Sequence, residues 1–372
     1  MKTIKILGGG IAGLTAAINL KLAGINVEVH ERKQFCGKST NDFQFLENWT
    51  FKKDALALIR GLNIQTDFYV KPWHSIEIIG PSLKRCEKVS SQPLMYLIKR
   101  GPMEGAIDHS LQKQAFDAGI RIIFQSKLSA TEADIIATGR KNPNFIVNGV
   151  TFALNRPDKT IILLDDCLAQ SMYAYFIVND NIGQIAAINP TDNRDHIARF
   201  KKTVKRFEEL LKFKVDRILH RFSAPGSLQV LTNAIRNNRY LVGEAAGFQD
   251  CLAGFGMMYA FKSGYHAAQS VIEKNDYNNR WQRDMLKPIK VSQTNRFFFE
   301  HLGNNGYDKV IRVLDSNDPA MLRLLGGSDL RLILNRLYNR SLSPLLRPAI
   351  RWKKSIPLYR LMLSIIKKFL MR

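Results

Sequence analysis

The 372-residue chain has few of the residues that build disulfide scaffolds or metal sites. It contains four cysteines and seven histidines, and Cys36, Cys86, Cys167 and Cys251 lie far apart with no CxxC pair. Closely spaced cysteines are typical of structural zinc sites and of small secreted domains. We therefore expect no bound metal and no disulfide framework, and we expect a reducing, cytoplasmic environment.

The chain also lacks an uncharged apolar run of the roughly 18–20 residues that cross a bilayer. The best candidate, residues 160–178, is interrupted by Asp165 and Asp166. Hydrophobic residues nevertheless make up 45% of the chain and aromatic residues 10%, which is enough for a sizeable core and excludes a disordered protein. At about 100–200 residues per domain, the length predicts two or three domains.

Acidic residues are scarce, since 32 Asp and Glu face 55 Lys and Arg and the net charge is +23. After Asp329 all the charged residues are basic, and apolar residues from Leu358 onward recur at helical spacing. This pattern predicts a basic amphipathic helix within residues 352–372, which can lie on an anionic membrane surface. The protein would then be peripheral on the inner face of the membrane. The alternatives are a helix docked on the protein's own core and, least favoured, a nucleic-acid partner, because no aromatic-lined basic groove is present.

The N-terminal segment has the pattern of a strand, a glycine turn, a helix and a second strand. Strands are predicted at residues 2–7 and 26–31, with helical periodicity between them. After the first strand, Gly8, Gly10 and Gly13 form a GxGxxG motif. In this context, with an acidic residue ending the second strand, the motif is typical of a dinucleotide-binding site.

Each position of this motif has a physical role. Gly8 permits a tight turn, Gly10 lets the backbone approach a diphosphate, and Gly13 allows helix and strand to pack closely. The helix N-terminus offers N–H groups and a partial positive charge to the phosphates. Glu31 can accept hydrogen bonds from an adenosine ribose, and a carboxylate there disfavours the 2′-phosphate of NADP. The other predicted contacts in this half of the site are Ile11, Ala12 and Arg32.

A second glycine-rich segment, residues 239–260, reads as a strand, a turn with a carboxylate, a glycine loop and a helix. It resembles the second flavin-binding motif of the p-hydroxybenzoate hydroxylase superfamily and, within it, the geranylgeranyl reductase-like family of FAD-dependent oxidoreductases. By this resemblance, Glu244 stands where the family's Asp binds the ribityl chain of FAD. Gly256 and Met257 stand where backbone N–H groups meet the flavin's pyrimidine edge. Gly243, Gly247, Gly254 and Gly264 also match the family's pattern, and Gly243 and Gly254 are further predicted cofactor contacts.

Four other residues match this family more loosely. Arg100 resembles an arginine ahead of a helix that packs beside the cofactor, and Thr138 and Gly139 resemble an Ala-Thr-Gly signature where the chain passes FAD. Cys36 resembles a cysteine of the reductases near the flavin ring, with a buried inert thiol as the alternative. Reduction of an isolated C=C bond also needs a proton donor, for which Cys36 and Tyr175 are the candidates.

The resemblance covers residues 1–275 with gaps, and it is weakest in the part that would contact substrate. The aromatic-Trp-Phe-Pro pattern of many reductases is missing, and so is the Trp-x-Trp motif of halogenases. Polar residues at 41–49 are expected either to line the substrate side of the flavin or to form an ordinary capped loop. Substrate identity is therefore the least transferable part of the resemblance.

The resemblance implies an α/β (α+β) protein with three regions. The discontinuous Rossmann-like FAD-binding domain is expected at residues 1–70, 97–150 and 236–275, an antiparallel β-sheet substrate domain at 71–96 and 151–235, and a helical C-terminal region at 276–372.

The leading hypothesis is an FAD-dependent oxidoreductase of the geranylgeranyl reductase type, in which the flavin transfers a hydride to an apolar isoprenoid or lipid. Because only one dinucleotide motif is present, NAD(P)H as an electron donor would have to visit the FAD transiently. The alternatives are a flavin monooxygenase of the p-hydroxybenzoate hydroxylase type, a non-catalytic flavin-binding protein at a membrane, and an NAD-dependent dehydrogenase.

Overall fold

The structure is a computed structural model that describes most of the chain. The described residues are 2–38, 41–139, 142–192, 194–315, Arg331, Ile333 and Leu334. The amphipathic helix predicted within residues 352–372 lies outside them. Within the described ranges, no helix is both long enough and apolar enough to cross a membrane.

Sixteen strands, seven α-helices and one 3₁₀-helix occur in the described part of the chain. The strands are β1 (Ile4–Leu7), β2 (Val27–His30), β3 (Asp42–Glu47), β4 (Val70–Trp73), β5 (Ser75–Ile79), β6 (Arg85–Val89), β7 (Met95–Arg100), β8 (Arg121–Ile123), β9 (Ile135–Ile136), β10 (Phe145–Ala153), β11 (Lys159–Leu163), β12 (Ala174–Asn179), β13 (Ile182–Pro190), β14 (Ile218–Gly226), β15 (Ile235–Arg236) and β16 (Arg239–Leu241). The helices are α1 (Ile11–Leu22), α2 (Ala55–Gly61), α3 (Ile107–Asp117), α4 (His196–Leu211), α5 (Met257–Glu273), α6 (Tyr277–Glu300) and α7 (Gly303–Asp315), with the 3₁₀-helix at Gly243–Ala246.

A six-stranded sheet, in the order β15-β16-β9-β1-β2-β8, forms the Rossmann-like part of the fold. The strands from β16 to β8 run parallel, and β15 pairs antiparallel at the edge. Helix α1 is buried nearly all round from Ile11 to Leu20, because α5 and α3 pack against it as well as the sheet. The chain leaves α1 at Gly24, whose φ of 75° is the left-handed conformation that commonly ends helices.

The two glycine-rich segments are in contact because glycines at the contact points have no side chains. A Cβ on Gly13 would clash with the carbonyl oxygen of Gly8, so α1 approaches the end of β1 closely only because residue 13 is glycine. A Cβ on Gly264, within α5, would clash in the same way with the carbonyl oxygen of Ala12. A Cβ on Gly243 would lie 3.0 Å from the Cβ of Ala12. The N-terminal halves of α1 and α5 therefore pack side by side.

The described part of the fold contains two further sheets besides the six-stranded one. The seven-stranded sheet has the order β14-β10-β13-β12-β11-β5-β6 and is antiparallel except for the β5–β11 pair. Helix α4 packs on it through buried Phe200 and Phe207, and the Phe207 ring stacks on Phe176 with centroids 5.6 Å apart. Strands β3, β7 and β4 form a separate three-stranded antiparallel sheet.

Helices α6 and α7 continue from α5. Asp276 caps α6 by accepting the N–H of Asn279 at 2.7 Å. Trp281 is fully buried against Phe248, with ring centroids 4.7 Å apart, so the start of α6 belongs to the same core as the six-stranded sheet.

The mixed α/β architecture with a Rossmann-like sheet confirms the predicted fold class. Residues 42–47 form strand β3 where the sequence also allowed a capped loop, because their backbone pairs with β7. Strands β10 and β14 and helix α2 were not predicted. The domain boundaries stay a prediction.

Gly264→Ala should destabilise the protein, because the added methyl group has no space beside the carbonyl oxygen of Ala12. Overpacking of this kind costs about 1–3 kcal/mol. Gly61→Ala is the control, since Gly61 is likewise helical, at the end of α2, and no atom lies within 4 Å of its Cβ position. The control should stabilise by about 0.4–1 kcal/mol. Urea unfolding followed by circular dichroism measures both, and equal free energies of unfolding would contradict the packing described for α1 and α5.

Candidate functional site

The carboxyl ends of neighbouring parallel strands bring the predicted glycine segments to one edge of the six-stranded sheet. Strand β1 leads into the Gly8–Gly13 turn, β9 leads toward Thr138 and Gly139, and β16 leads into the 3₁₀-helix at Gly243–Ala246. These strands are adjacent in the order β16-β9-β1. Ligands of open α/β sheets bind at this edge, so segments more than 200 residues apart in sequence share one candidate site.

The N-terminus of α1 has the form of an anion site. A Cβ on Gly10 would meet no protein atom within 4 Å, so there is room for a ligand in front of the helix. Gly10 caps α1 without a side chain, and the first turn carries no acidic residue. The N–H groups of the first turn, including those of Ile11 and Ala12, are therefore directed at the place where a phosphate would bind.

Glu31, which follows strand β2, holds the glycine turn through a hydrogen bond of its carboxylate. Its Oε2 accepts the N–H of Gly9 at 2.8 Å, and its Oε1 accepts the N–H of Lys33 at 3.0 Å. The side chain is buried, whereas the neighbouring Arg32 is exposed. Because each carboxylate oxygen has two acceptor positions, Glu31 can hold this turn and still accept a ribose hydroxyl.

Thr138, Gly139 and Glu244 meet at the end of β9. A Cβ on Gly8 would lie 2.7 Å from the carbonyl oxygen of Ala137, so the ends of β1 and β9 are pressed together. A Cβ on Gly139 would lie 3.5 Å from Oε2 of Glu244. Thr138 and Gly139 are exposed and Glu244 is half-buried, so this part of the site faces solvent.

A buried aspartate shapes the loop ahead of α5. The carboxylate of Asp250 accepts the N–H groups of Leu252 at 3.0 Å and Ala253 at 2.6 Å. Gly254 then adopts a φ of 81°, which favours glycine. Gly256 follows as the N-terminal cap of α5 and has no side chain to block that helix end.

Arg100 joins three elements around the N-terminus of α5. Its guanidinium makes a two-point ion pair with Asp108 of α3, with Nε–Oδ2 and Nη2–Oδ1 distances of 2.8 and 2.9 Å. Nη1 donates to Oε1 of Gln44 in β3 at 2.5 Å and lies 3.8 Å from Sδ of Met257. Two-point pairs fix both partners in orientation, so Arg100 sets the spacing between α3, β3 and α5.

An apolar cavity of about 390 Å³ adjoins this end of α5. Gly254, Gly256 and Met257 form one part of its wall, and side chains of the three-stranded and seven-stranded sheets form others. Helices α6 and α7 contribute Phe299 and Val310. A mostly apolar cavity of this size with a few polar groups is typical of a small-molecule site.

Lys38 is the cationic side chain of the cavity wall, within the part of the chain that the structure describes. It forms a buried ion pair with Asp42, and its Nζ lies 5.2 Å from the centre of the Phe222 ring. Burial lowers the pKa of Lys38 below its ordinary value, although the charge of Asp42 opposes the shift. The ammonium group is therefore a better proton donor than an exposed lysine.

Two tyrosines also line the cavity. Tyr175, a predicted proton donor, has its hydroxyl 3.4 Å from Nε2 of Gln184, which donates to it. Tyr173 donates its hydroxyl hydrogen to the carbonyl oxygen of Ala253 at 2.6 Å and so holds the loop before α5. Burial raises the pKa of both hydroxyls well above the ordinary value, which makes them weak acids.

Cys36 packs against the glycine turn. A Cβ on Gly9 would lie 2.6 Å from its Sγ, and its backbone N–H donates to Oε1 of Gln112 at 2.8 Å. Burial, followed by the charges of Glu31 and Asp108, raises the pKa of the thiol to about 12. Its predicted role at the flavin ring stays a prediction.

Glu47 is a buried carboxyl group that the sequence analysis did not single out. It is 2% exposed, and neither carboxyl oxygen has a hydrogen-bond partner among the described residues. Burial raises its pKa to about 8, the charge of Asp250 adds to the rise, and the proximity of its own backbone N–H opposes it. The only signal in the sequence is its place in an alternating pattern with Phe43 and Phe45.

Comparison with known proteins agrees with this geometry. Residues 6–67 match the NAD(P)-binding Rossmann-like domain family. No curated protein matches the chain. Among solved structures, a geranylgeranyl bacteriochlorophyll reductase-like protein from Thermoplasma acidophilum is similar with a TM-score of 0.70 and 18% identity, over 90% of this chain and 99% of that one.

Two other structures extend the similarity. A flavoprotein/dehydrogenase from Cytophaga hutchinsonii has a TM-score of 0.66 at 11% identity, covering 94% of this chain and 99% of its own. The probable FAD-dependent monooxygenase pqsL from Pseudomonas aeruginosa has a TM-score of 0.55 at 13% identity, covering 80% and 97%. The predicted resemblance to the geranylgeranyl reductase-like structures is therefore confirmed at the level of the fold, which is the Rossmann-like fold of FAD-dependent oxidoreductases.

Cys36 should resist alkylation in the folded protein, because its thiol is buried and stays protonated until the pH approaches its raised pKa of about 12. With iodoacetamide at pH 8, the exposed Cys167 should be modified first. Peptide mass spectrometry with and without urea measures both sites. Modification of Cys36 at the rate of Cys167 without urea would show that the thiol is accessible.

Glu47→Gln should become more stable, relative to the original chain, as the pH rises from about 4.5 to 8. The folded protein keeps a proton on Glu47 up to a pKa of about 8, whereas the unfolded chain loses it near 4.5. The free energy of unfolding contributed by this group therefore falls with rising pH, by up to about 1.4 kcal/mol per pH unit. Urea unfolding at pH 5 and pH 8 measures the difference, with the exposed Glu104→Gln as control. A pH-independent difference would mean that Glu47 is ionised in the folded state.

Proposed function

We propose that the protein is an FAD-dependent oxidoreductase that reduces an apolar isoprenoid or lipid. The observation that carries the proposal is that the apolar cavity adjoins the proposed flavin site. The apolar cavity shares Gly254, Gly256 and Met257 with the N-terminus of α5, which is where the flavin ring is expected. A substrate in this cavity would meet the redox-active part of the cofactor directly.

The residues at the edge of the six-stranded sheet fit FAD. The open space at Gly10 would accommodate a diphosphate, and Glu31 would accept a hydrogen bond from the ribose. Glu244, beside Gly139, is the proposed contact of the ribityl chain. The N-terminus of α5 at Gly256 and Met257 would stabilise negative charge on a flavin bound in front of it. When bound, FAD supplies a hydride carrier that this chain's own side chains cannot provide.

The cavity favours an apolar substrate because it is lined mainly by aromatic and aliphatic side chains. Burying such a substrate would contribute about 25 cal/mol per Å² of apolar surface removed from water. The same lining excludes water from the reacting bond, which strengthens the electrostatic effect of the few polar groups there.

Lys38 is the group best suited to donate a proton in this cavity. Reduction of a C=C bond adds a hydride to one carbon and a proton to the other, and Lys38 carries a proton that burial makes easier to release. Tyr175 holds its proton more tightly than an ordinary tyrosine. Cys36 packs against Gly9 and its thiol is likewise a weak acid.

A flavin monooxygenase is the second candidate, favoured by the similarity to the probable FAD-dependent monooxygenase described above. NAD(P)H is the proposed electron donor in either case, and it would visit the FAD transiently. Substrate-stimulated oxygen consumption would support the monooxygenase, whereas anaerobic product formation with a gain of two hydrogens would support the reductase.

Gly10→Val should weaken FAD binding without unfolding the protein. The Cβ of the valine would have no protein atom within 4 Å, and the side chain would fill the space proposed for the diphosphate. Affinity for FAD should fall by about tenfold to a hundredfold, as expected for an overpacked site. Flavin fluorescence titration measures the affinity, and Gly61→Val, also with open space at its Cβ, is the control. Unchanged FAD affinity in Gly10→Val would reject the proposed position of the diphosphate.

Lys38→Met should slow product formation by about 10²–10⁴-fold, the usual contribution of a general acid. FAD content should be unchanged, because Lys38 is not among the proposed cofactor contacts. Lys38→Arg keeps the charge but cannot release a proton at neutral pH, so it should be as slow as Lys38→Met. Geranylgeraniol and a total lipid extract are the probes, with the pre-reduced enzyme and mass spectrometry of the products.

Each outcome of this experiment has a separate meaning. If the original chain and Lys38→Arg reduce the probe at the same rate, Lys38 contributes its positive charge and is not the proton donor. Product formation that loses its pH dependence in Lys38→Met would support proton donation. Flavin-containing protein that reduces neither probe, and instead consumes oxygen, would reject the reductase proposal itself.

A further inference from the structure

A second cavity, of about 490 Å³, lies beside the first. It is formed by residues 50–53, α2, α5 and α6. Trp49 lines the apolar cavity, and the next two residues, Thr50 and Phe51, line the second one. The chain therefore passes directly from the wall of one cavity to the wall of the other. This second cavity is outside the cofactor contacts described above.

The second cavity carries a surplus of positive charge. Its wall includes five basic side chains, namely Lys52, Lys53, Lys262, Arg283 and Lys287. Asp284 is the one carboxylate in this wall within the described part of the chain, and its Oδ2 is already held by Lys262 at 2.6 Å and by His266 at 2.7 Å.

Four of these cations remain without a counter-charge. Among the described residues, Lys52, Lys53, Arg283 and Lys287 have no ion pair, and all four are exposed. The exposed basic face of α4 differs, because Lys205 there has Glu209 at 3.8 Å and its neighbours line neither cavity. Like charges gathered around a concave wall focus the electrostatic potential and attract an anion.

The floor of this cavity is apolar and held in place. Leu58, Leu62 and Pro288 contribute to it beside Phe51. The Nζ of Lys262 lies 4.5 Å from the centre of the Phe51 ring, and the same ring packs edge-on against Tyr259 with centroids 5.6 Å apart. The cavity thus combines a fixed apolar floor with a cationic rim.

We infer that this second cavity binds a phosphate or diphosphate group that carries an apolar portion. Four unpaired cations match a multiply charged anion better than a single carboxylate, and an arginine can hold a phosphate through two parallel hydrogen bonds. The apolar portion of the ligand would rest on Phe51 and its neighbours. The ligand could be a soluble phosphate ester or a phospholipid headgroup. The inference goes beyond the proposed function and does not depend on FAD.

The test compares two variants that remove the same charge. Lys53→Gln/Arg283→Gln/Lys287→Gln changes the rim of the cavity, and Lys201→Gln/Lys202→Gln/Lys205→Gln changes the exposed face of α4. Calorimetric titration with inorganic pyrophosphate at about 0.15 M salt, where the Debye length is about 8 Å, measures anion binding. We expect the cavity variant to bind about tenfold more weakly and the α4 variant to change by less than about twofold, since remote charges are screened.

Vesicles distinguish the two sources of the phosphate. Sedimentation with phosphatidylglycerol vesicles should be lost in the cavity variant, and kept in the α4 variant, if the ligand is a lipid headgroup. Equal vesicle binding by all three proteins, together with weaker pyrophosphate binding by the cavity variant, assigns a soluble phosphate ester. Equal weakening in both variants, or no pyrophosphate binding by the original chain, overturns the inference. If the triple variant does not fold, Arg283→Gln alone serves as the cavity variant, with Lys201→Gln as its control.

Discussion

The close crossing of α1 and α5 is the constraint on which the candidate site depends. Gly264 lets α5 reach the carbonyl oxygen of Ala12, and Gly13 lets α1 reach that of Gly8. The crossing therefore packs the start of α1 against the N-terminal half of α5. A ligand long enough to span both helix ends would meet two partial positive charges. A side chain at either glycine would separate these ends, however well each local motif were preserved.

Arg100 extends this constraint to the substrate side. Its ion pair with Asp108 and its hydrogen bond to Gln44 connect α3 and β3, while Met257 brings in the start of α5. A Cβ on Gly37 would clash with the same Asp108 carboxylate, so the chain leading to Lys38 passes directly over this pair. The position of the cavity lysine thus follows from a buried ion pair that lies outside the cavity wall. Breaking one member of such a pair leaves an uncompensated charge.

The sequence predicted those features whose cause is local. The turn at Gly8–Gly13 and the helix after it were predictable because glycine spacing and apolar periodicity lie within one short segment. Strand β3 was not, since its extended form depends on pairing with β7 some fifty residues later.

Lys38 and Glu47 could not be recognised for a related reason. A lone charged residue shows no pattern in sequence, and its burial is decided by strands and loops from several distant segments. Cys36 illustrates the reverse case. Its family match indicated a place near the flavin ring, whereas the burial of its thiol and its packing against Gly9 depend on the three-dimensional arrangement of this chain.

Lys38 and Asp42 also bear on the proposed reductase chemistry. A reductase must protonate carbon in a cavity that excludes water, so it needs a donor that is already inside. Burial lowers the pKa of Lys38 and raises the pKa of Asp42, so each shift brings the two groups closer to sharing one proton. The proton on such a pair can move to a substrate without first ionising a phenol such as Tyr175. In the proposed reductase, the Lys38–Asp42 pair would supply the proton that accompanies the hydride.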